Sequence, residues 1–170
     1  MKRIVPVDLD AEQFAPYGVV HTSPEGSSRS YFDAALTAAR PNAWPSFSLV
    51  RNVPIAGAEL TVTALECHAH SSQTFVPMVT SRWLVVVAPD DRGRPDGDRI
   101  QAFIATQHQA ITYAAGTWHL GLHVLDHAAT HAIFMWRDGT QGDETFCDIV
   151  PVVLTIPDIP ALPHYDPSRA

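Results

Sequence analysis

Leu60-Thr-Val-Thr-Ala-Leu-Glu-Cys-His-Ala-His70 alternates for eleven residues, the period of a half-buried β-strand. Glu66, His68 and His70 close the run, and a period of two turns these three side chains to one face, with Thr61, Thr63 and Leu65 on the other. In a small barrel that face is either the filled interior or a ligand pocket at the mouth. A carboxylate and two imidazoles converging on one side form a set for acid–base chemistry or metal binding.

Working outward, residues 47–51 alternate, 74–78 form a short strand with Pro77 at an edge or bend, and 83–88 are a continuous apolar run buried on both faces. Further strand signals cover 100–105, 110–113, 117–125, 132–136 and 148–154. Short strands at this spacing, separated by Gly and Pro turns, define an all-β barrel or double-sheet roll. Residues 7–18 read as a short N-terminal helix with Asp10 as its cap and Pro16 and Gly18 as its stop. Residues 22–30 and 89–97 are polar loops, and the tail after Ile156 carries four prolines that keep it along the surface. No internal repeat or linker divides the chain, so residues 1–170 are expected to form a single domain.

Composition narrows the partners. Eighteen acidic residues against eleven basic ones leave a net charge of −7, which disfavours binding to a phosphate backbone and so to nucleic acid. No apolar run reaches the roughly 18 residues of a membrane span, and the start turns acidic too soon for a signal peptide. Cys67 and Cys147 fit no paired-cysteine zinc motif and read as two reduced thiols in a cytoplasmic protein.

A second element, Tyr113-Ala-Ala-Gly-Thr-Trp-His119, places a tight turn at Gly116 and sends Trp118 and His119 to opposite faces of the strand that follows. His123 falls on the face of His119 by the same period. His127 and His131 stand four apart in a strand pattern that does not suit a helical metal pair, and His21, His108 and His164 lie beside loop signals as exposed residues.

Residues 60–68, Gln73-Thr-Phe-Val-Pro-Met78, 83–89, 101–105, 110–113 and Gly116-Thr-Trp-His119 resemble the ureidoglycolate lyases of the cupin superfamily, over roughly residues 4–155. The resemblance implies a cupin-type double-stranded β-barrel (jelly roll) with a short N-terminal helix. Cupins carry His-x-His-x4-Glu-x6-Gly and Pro-x-Gly-x2-His. In register, these become Glu66-x-His68-x4-Gln73-x6-Thr80 and Ala114-x-Gly116-x2-His119. Glu66, His68 and Gln73 stand as expected of ureidoglycolate lyases, whereas Thr80, Leu120 and Gly121 depart from the family pattern, and His70 falls outside it as an exposed turn residue.

The implied reaction cleaves ureidoglycolate to glyoxylate and urea. Its catalytic set would be Glu66, His68, Gln73 and His119, with the Glu66 carboxyl raised towards neutrality by an apolar barrel. Two chemistries stay open. One is metal-free acid–base catalysis. The other uses a divalent ion (Ni, Mn, Fe or Zn) on His68, Gln73 and His119 with Glu66 as a fourth ligand. Arg40 is the cation expected to meet the substrate carboxylate, with Arg51 and Arg82 as alternatives, and Tyr113 and Trp118 are candidates for the pocket wall. The partner is a small-molecule carboxylate, and the assembly a homodimer joined through the N-terminal strand and the tail. Two other functions suit the same fold: a metal-dependent oxygenase or isomerase, told apart by metal content and oxygen uptake, and a non-enzymatic binding module, told apart by the lack of turnover.

Overall fold

The computed structural model describes residues 1–157 apart from 27, 80 and 141; Thr80, His164 and the proline-rich tail lie outside the described residues. Its strands are β1 (Lys2–Ile4), β2 (Val7–Asp8), β3 (Gly18–Thr22), β4 (Trp44–Asn52), β5 (Glu59–His68), β6 (Gln73–Pro77), β7 (Trp83–Ala88), β8 (Gln101–Ala105), β9 (Gln109–Tyr113), β10 (Trp118–His119), β11 (His123–Val124), β12 (Ala129–Arg137) and β13 (Glu144–Thr155), with one α-helix among the described residues, α1 (Ala11–Phe14), and 3-10 turns at Asp33–Ala35 and Gly97–Arg99. An eight-stranded sheet runs β1-β13-β5-β10-β7-β8-β2, with β11 beside β7, and a five-stranded sheet runs β3-β9-β6-β12-β4. Among the described strands, β1–β13 and β2–β8 pair in parallel and the other strand pairs are antiparallel. The two curled sheets form the cupin-type jelly roll, and the fold is all-β.

The alternation of the strands sorts side chains into two cores. Phe75, Ile111 and Tyr113 from the five-stranded sheet meet Trp83, Val85, Val87 and Phe103 from the eight-stranded one. Phe14, fully buried, closes this inner core from α1 and lies edge-on to Phe103 at 6.3 Å. Leu84, Val86, Ala88, Ala102 and Ile104 form a second core with Val62, Leu65, Cys67, Val152 and Leu154.

Several local readings need correction. Residues 7 and 8 are a strand on β8, so the helix is confined to Ala11–Phe14, where the Asp10 carboxylate accepts from the backbone N–H groups of Glu12 and Gln13. Such a cap is worth about 1 kcal/mol. Alternation along β5 slips by one: Val62 and Leu65 share the second core, and the pairing with β13 shifts register at this point. Leu65 is therefore not on the face of Thr61 and Thr63, while Glu66 and His68 keep a common face beyond the slip. β6 lies between β9 and β12 rather than at an edge, with Pro77 as its last residue. The N-terminal strand pairs with the chain's own β13 and forms an edge of the eight-stranded sheet. Gly18 sits at φ 156°, and a Cβ there would lie 1.9 Å from the Thr112 carbonyl oxygen, so only glycine lets β3 approach β9.

Candidate active site

His119 pairs with Glu66 of β5 on one side and with Val87 of β7 on the other. Val87 belongs to the inner core, and paired residues share a face, so His119 and Glu66 point inward. Across the barrel, Gln73 pairs with Tyr113 and Met135. Both sheets thus bring one row of side chains to the same end of the interior.

At the centre is His119, with 1% of its surface exposed. Its Nδ1 lies 2.9 Å from the Thr117 carbonyl oxygen and so carries the donated proton. The ring stacks on Tyr113 at 4.1 Å and 18°. Nε2 lies 3.0 Å from Oε1 of Gln73 and 3.2 Å from Oε1 of Glu66. Turning the Gln73 amide over would replace one of these oxygens by a donor but not the other. With Nδ1–H committed, an Nε2 facing oxygen is the place for a second proton or a cation. His68, 5.7 Å away ring to ring, is buried with neither ring nitrogen hydrogen-bonded. One ligand-type atom from each of Glu66, His68 and His119 lies within 4.8 Å of the others.

Burial pushes the Glu66 carboxyl up, but the hydrogen bond and charge of His119 and the charge of His68 outweigh it, so the carboxyl titrates below its ordinary value. The expected rise towards neutrality is therefore reversed: the flanking imidazoles favour the anion more than the apolar wall opposes it. Burial and the neighbouring His119 lower His68, against the pull of Glu66, Asp143 and Glu144, which favours the neutral ring. Burial holds the Tyr113 phenol far above its usual range.

A cleft of about 300 Å³, at the small end for ligand pockets, opens beside this cluster, lined among others by His68, Gln73, Met135, Arg137, Asp143 and Glu144. Tyr113 backs the site beneath His119. Trp118 does not wall it: paired with Ala88, it faces the second core and donates its indole N–H to Asp90. Arg40 stands at the rim, its guanidinium paired with Asp138 and donating to the Gly142 carbonyl at 2.7 Å. The Asp138 carboxyl is held down at about 2 by the Thr140 hydroxyl and backbone N–H and by Arg40. Arg82 is locked on both oxygens of Asp126, and Arg51 is an exposed residue of β4.

His70 lies beyond the end of β5, its backbone N–H donating to Asp143, outside the Glu66–His68–His119 cluster. His123 pairs with Leu84, a second-core residue, and so faces away from His119, because residues 120–122 interrupt the strand that the period-two reading assumed. His21 is buried, not exposed: it bonds Thr112 at 2.7 Å under Phe32. His131 is fully buried against Trp83, while His108 and His127 are exposed. Met135, Arg137 and Asp143 were missed as cleft residues. For the first and last of these, no local motif marks the position. For Arg137 the signal was its place two residues beyond Met135 on one strand face.

The jelly roll thus gathers a carboxylate, two imidazoles and an amide at one end of its interior. The family model described as ureidoglycolate lyase matches residues 1–154. The chain belongs to the ureidoglycolate lyase family and is a carbon–nitrogen lyase of that kind. A putative ureidoglycolate lyase of Agrobacterium fabrum is 34% identical over 161 residues, covering 94% of this chain and 99% of that one. The ureidoglycolate lyase of Burkholderia cepacia is 34% identical over 154 residues, covering 85% and 83%, and that of Schizosaccharomyces pombe is 29% identical over 170 residues, covering 84% and 89%. Among solved structures, a 3'-monoepimerase from Streptomyces bikiniensis is similar at TM-score 0.42 and 20% identity, covering 75% of this chain and 65% of that one.

Proposed function

We propose that the cleft lined by His68 and Gln73, with Glu66 and His119 packed behind them, cleaves ureidoglycolate to glyoxylate and urea by moving one proton across the substrate. The substrate is a carbinolamine: one carbon bears a hydroxyl, a ureido nitrogen and a carboxylate. As the hydroxyl loses its proton, the O–H electron pair becomes the second C–O bond. The C–N pair then leaves on the urea nitrogen, which takes up a proton. His68, neutral and with both ring nitrogens uncommitted, is placed to accept the hydroxyl proton. His119, whose Nε2 faces the Glu66 carboxylate while its Nδ1–H is held by the Thr117 carbonyl, is placed to pass a proton to the nitrogen. The single observation that carries this reading is the pairing of an uncommitted buried imidazole with a carboxylate-held one on the same wall.

The same donors suit a divalent ion. The Nδ1–H of His119 is fixed on a carbonyl, as metal-ligating histidines are, and the His68 nitrogens lack partners. Glu66, His68 and His119, with the Gln73 amide as a fourth donor, would hold Ni, Mn, Fe or Zn, which when bound would supply Lewis-acid polarisation.

The test is release of glyoxylate and urea in equal amounts from ureidoglycolate, with and without a chelator, alongside metal analysis of the purified protein. Activity that survives chelation assigns the proton transfers to side chains alone; loss restored by one divalent ion assigns the metal form. No glyoxylate in any arm removes the reading. In the chelated enzyme, His68 works as the neutral base, so activity falls as pH drops through its pKa. Since that pKa is lowered, the acid limb should lie below 6.5.

We place this reaction in allantoin and purine nitrogen catabolism and read the chain as a single-domain cytoplasmic enzyme, whose two free cysteines suit a reducing compartment. Among the described residues no helix is long and apolar enough to cross a membrane. The homodimer is supported by the outward face of the five-stranded sheet, where Leu49, Ala132 and Val76 lie in one register row beside Phe47, and Phe47 and Leu49 are 68% and 58% exposed. Light scattering should give about twice the 18.6 kDa chain mass; a monomer at micromolar concentration overturns the assembly.

A further inference from the structure

We infer that Arg137, rather than Arg40, is the residue that reads the substrate's carboxylate; this rests on the reaction proposed above. The inner face of β12 is a row at period two. His131 packs on Trp83, Ile133 packs against the inner core, and Met135 brings its sulfur to 3.9 Å from the Gln73 amide. Arg137 is the next member of that row and lines the cleft with His68 and Gln73. Among the described residues its guanidinium enters no hydrogen bond or ion pair, whereas those of Arg40 and Arg82 are taken up by Asp138 and Asp126.

The charges around the cleft make this cation necessary. Asp138, Asp143 and Glu144 also line it, and a rim of carboxylates repels an anionic substrate. The carboxylate of a 2-hydroxy acid derivative is bonded to the reacting carbon, so its counter-charge must stand beside His68 rather than elsewhere on the barrel. Arg137 meets that condition, and its planar fork matches a carboxylate through two parallel hydrogen bonds. Arg40 is then a positioning residue. It ties Asp138, next in sequence to Arg137, to the Gly142 carbonyl and so fixes the end of β12.

The experiment compares the wild-type protein with Arg137→Ala, Arg137→Lys and Arg40→Ala. Binding of glycolate and of its neutral analogue glycolamide is measured by calorimetry, and steady-state kinetics are measured on ureidoglycolate. Arg137→Ala should weaken glycolate binding by about 10–100-fold, the scale of lost charge-assisted hydrogen bonds, and leave glycolamide unchanged. It should raise KM by a similar factor with kcat within a few fold. Lysine, which restores the charge but not the fork, should fall between, and added guanidinium should partly restore Arg137→Ala. The inference is overturned if glycolate affinity and KM stay within about twofold of wild type. It is also overturned if the wild type does not prefer glycolate to glycolamide, or if the carboxylate-selective loss appears in Arg40→Ala instead. Should the wild type release no glyoxylate yet lose glycolate with Arg137, the clamp stands and the lyase reading falls. Should Arg137→Ala keep full activity and KM, the clamp falls and the lyase reading stands.

Discussion

His119→Ala is expected to lower kcat for glyoxylate release by about 10²–10⁴-fold, the range of a lost general acid–base group. The ring is the hub of the cluster: Thr117 fixes its tautomer, Tyr113 its plane, and Glu66 and Gln73 meet its second nitrogen. Removing it takes away the proton donor and strands the Glu66 carboxylate beside an apolar wall. The fold should persist, because the strand is held by its backbone pairing to β5 and β7, and circular dichroism checks this. His70→Ala is the control and should cost less than about tenfold, since His70 lies past the end of β5 and outside the cluster. If His70→Ala is the inactive variant and His119→Ala retains activity, the first motif must be read as His68-x-His70.

His131→Phe should make the protein markedly less sensitive to acid without loss of stability at neutral pH. His131 is fully buried, neither ring nitrogen has a partner, and burial lowers its pKa from 6.5 to about 4. The unfolded chain therefore takes up this proton before the folded one does. The associated stability is complete above pH 6.5 and is lost as pH falls towards 4, a change of about 3 kcal/mol. Phenylalanine keeps a ring against Trp83, 5.1 Å away in the native protein, and removes two unsatisfied polar atoms, which is neutral or favourable at pH 7. Urea unfolding at about pH 7.5 and about pH 4.5 would show it. Equal acid losses in both proteins would mean that His131 is protonated in the folded state. His21 and His68 are shifted in the same direction and remain in the variant, so part of the acid sensitivity persists.

Much of the architecture was legible because period two survives wherever a strand is regular. Glu66 with His68, and Trp118 against His119, follow from alternation alone. It failed where the backbone departs from that period. The slip between Val62 and Leu65 reverses a face without any residue to announce it, and the break after His119 turns His123 to the opposite side. The Glu66 carboxyl was misread for another reason. Apolar burial is visible in a sequence, whereas the two imidazoles that outweigh it depend on the distance between strands. Arg137 belongs to the same class: its importance lies in which face of β12 lines the cleft and in what Arg40 is already holding. His131, in a run that reads as a plain strand, gave no sign that its ring would be enclosed.

β7 belongs to both cores, with Trp83, Val85 and Val87 on one side and Leu84, Val86 and Ala88 on the other, none more than 1% exposed. Neither compartment can therefore loosen without breaking the strand they share, and the two should melt as a single cooperative unit. The amide hydrogens of Val85 and Val86 should exchange with solvent only through global unfolding. β10, hydrogen-bonded to β7, inherits that rigidity, so the catalytic wall is fixed in place before any substrate arrives.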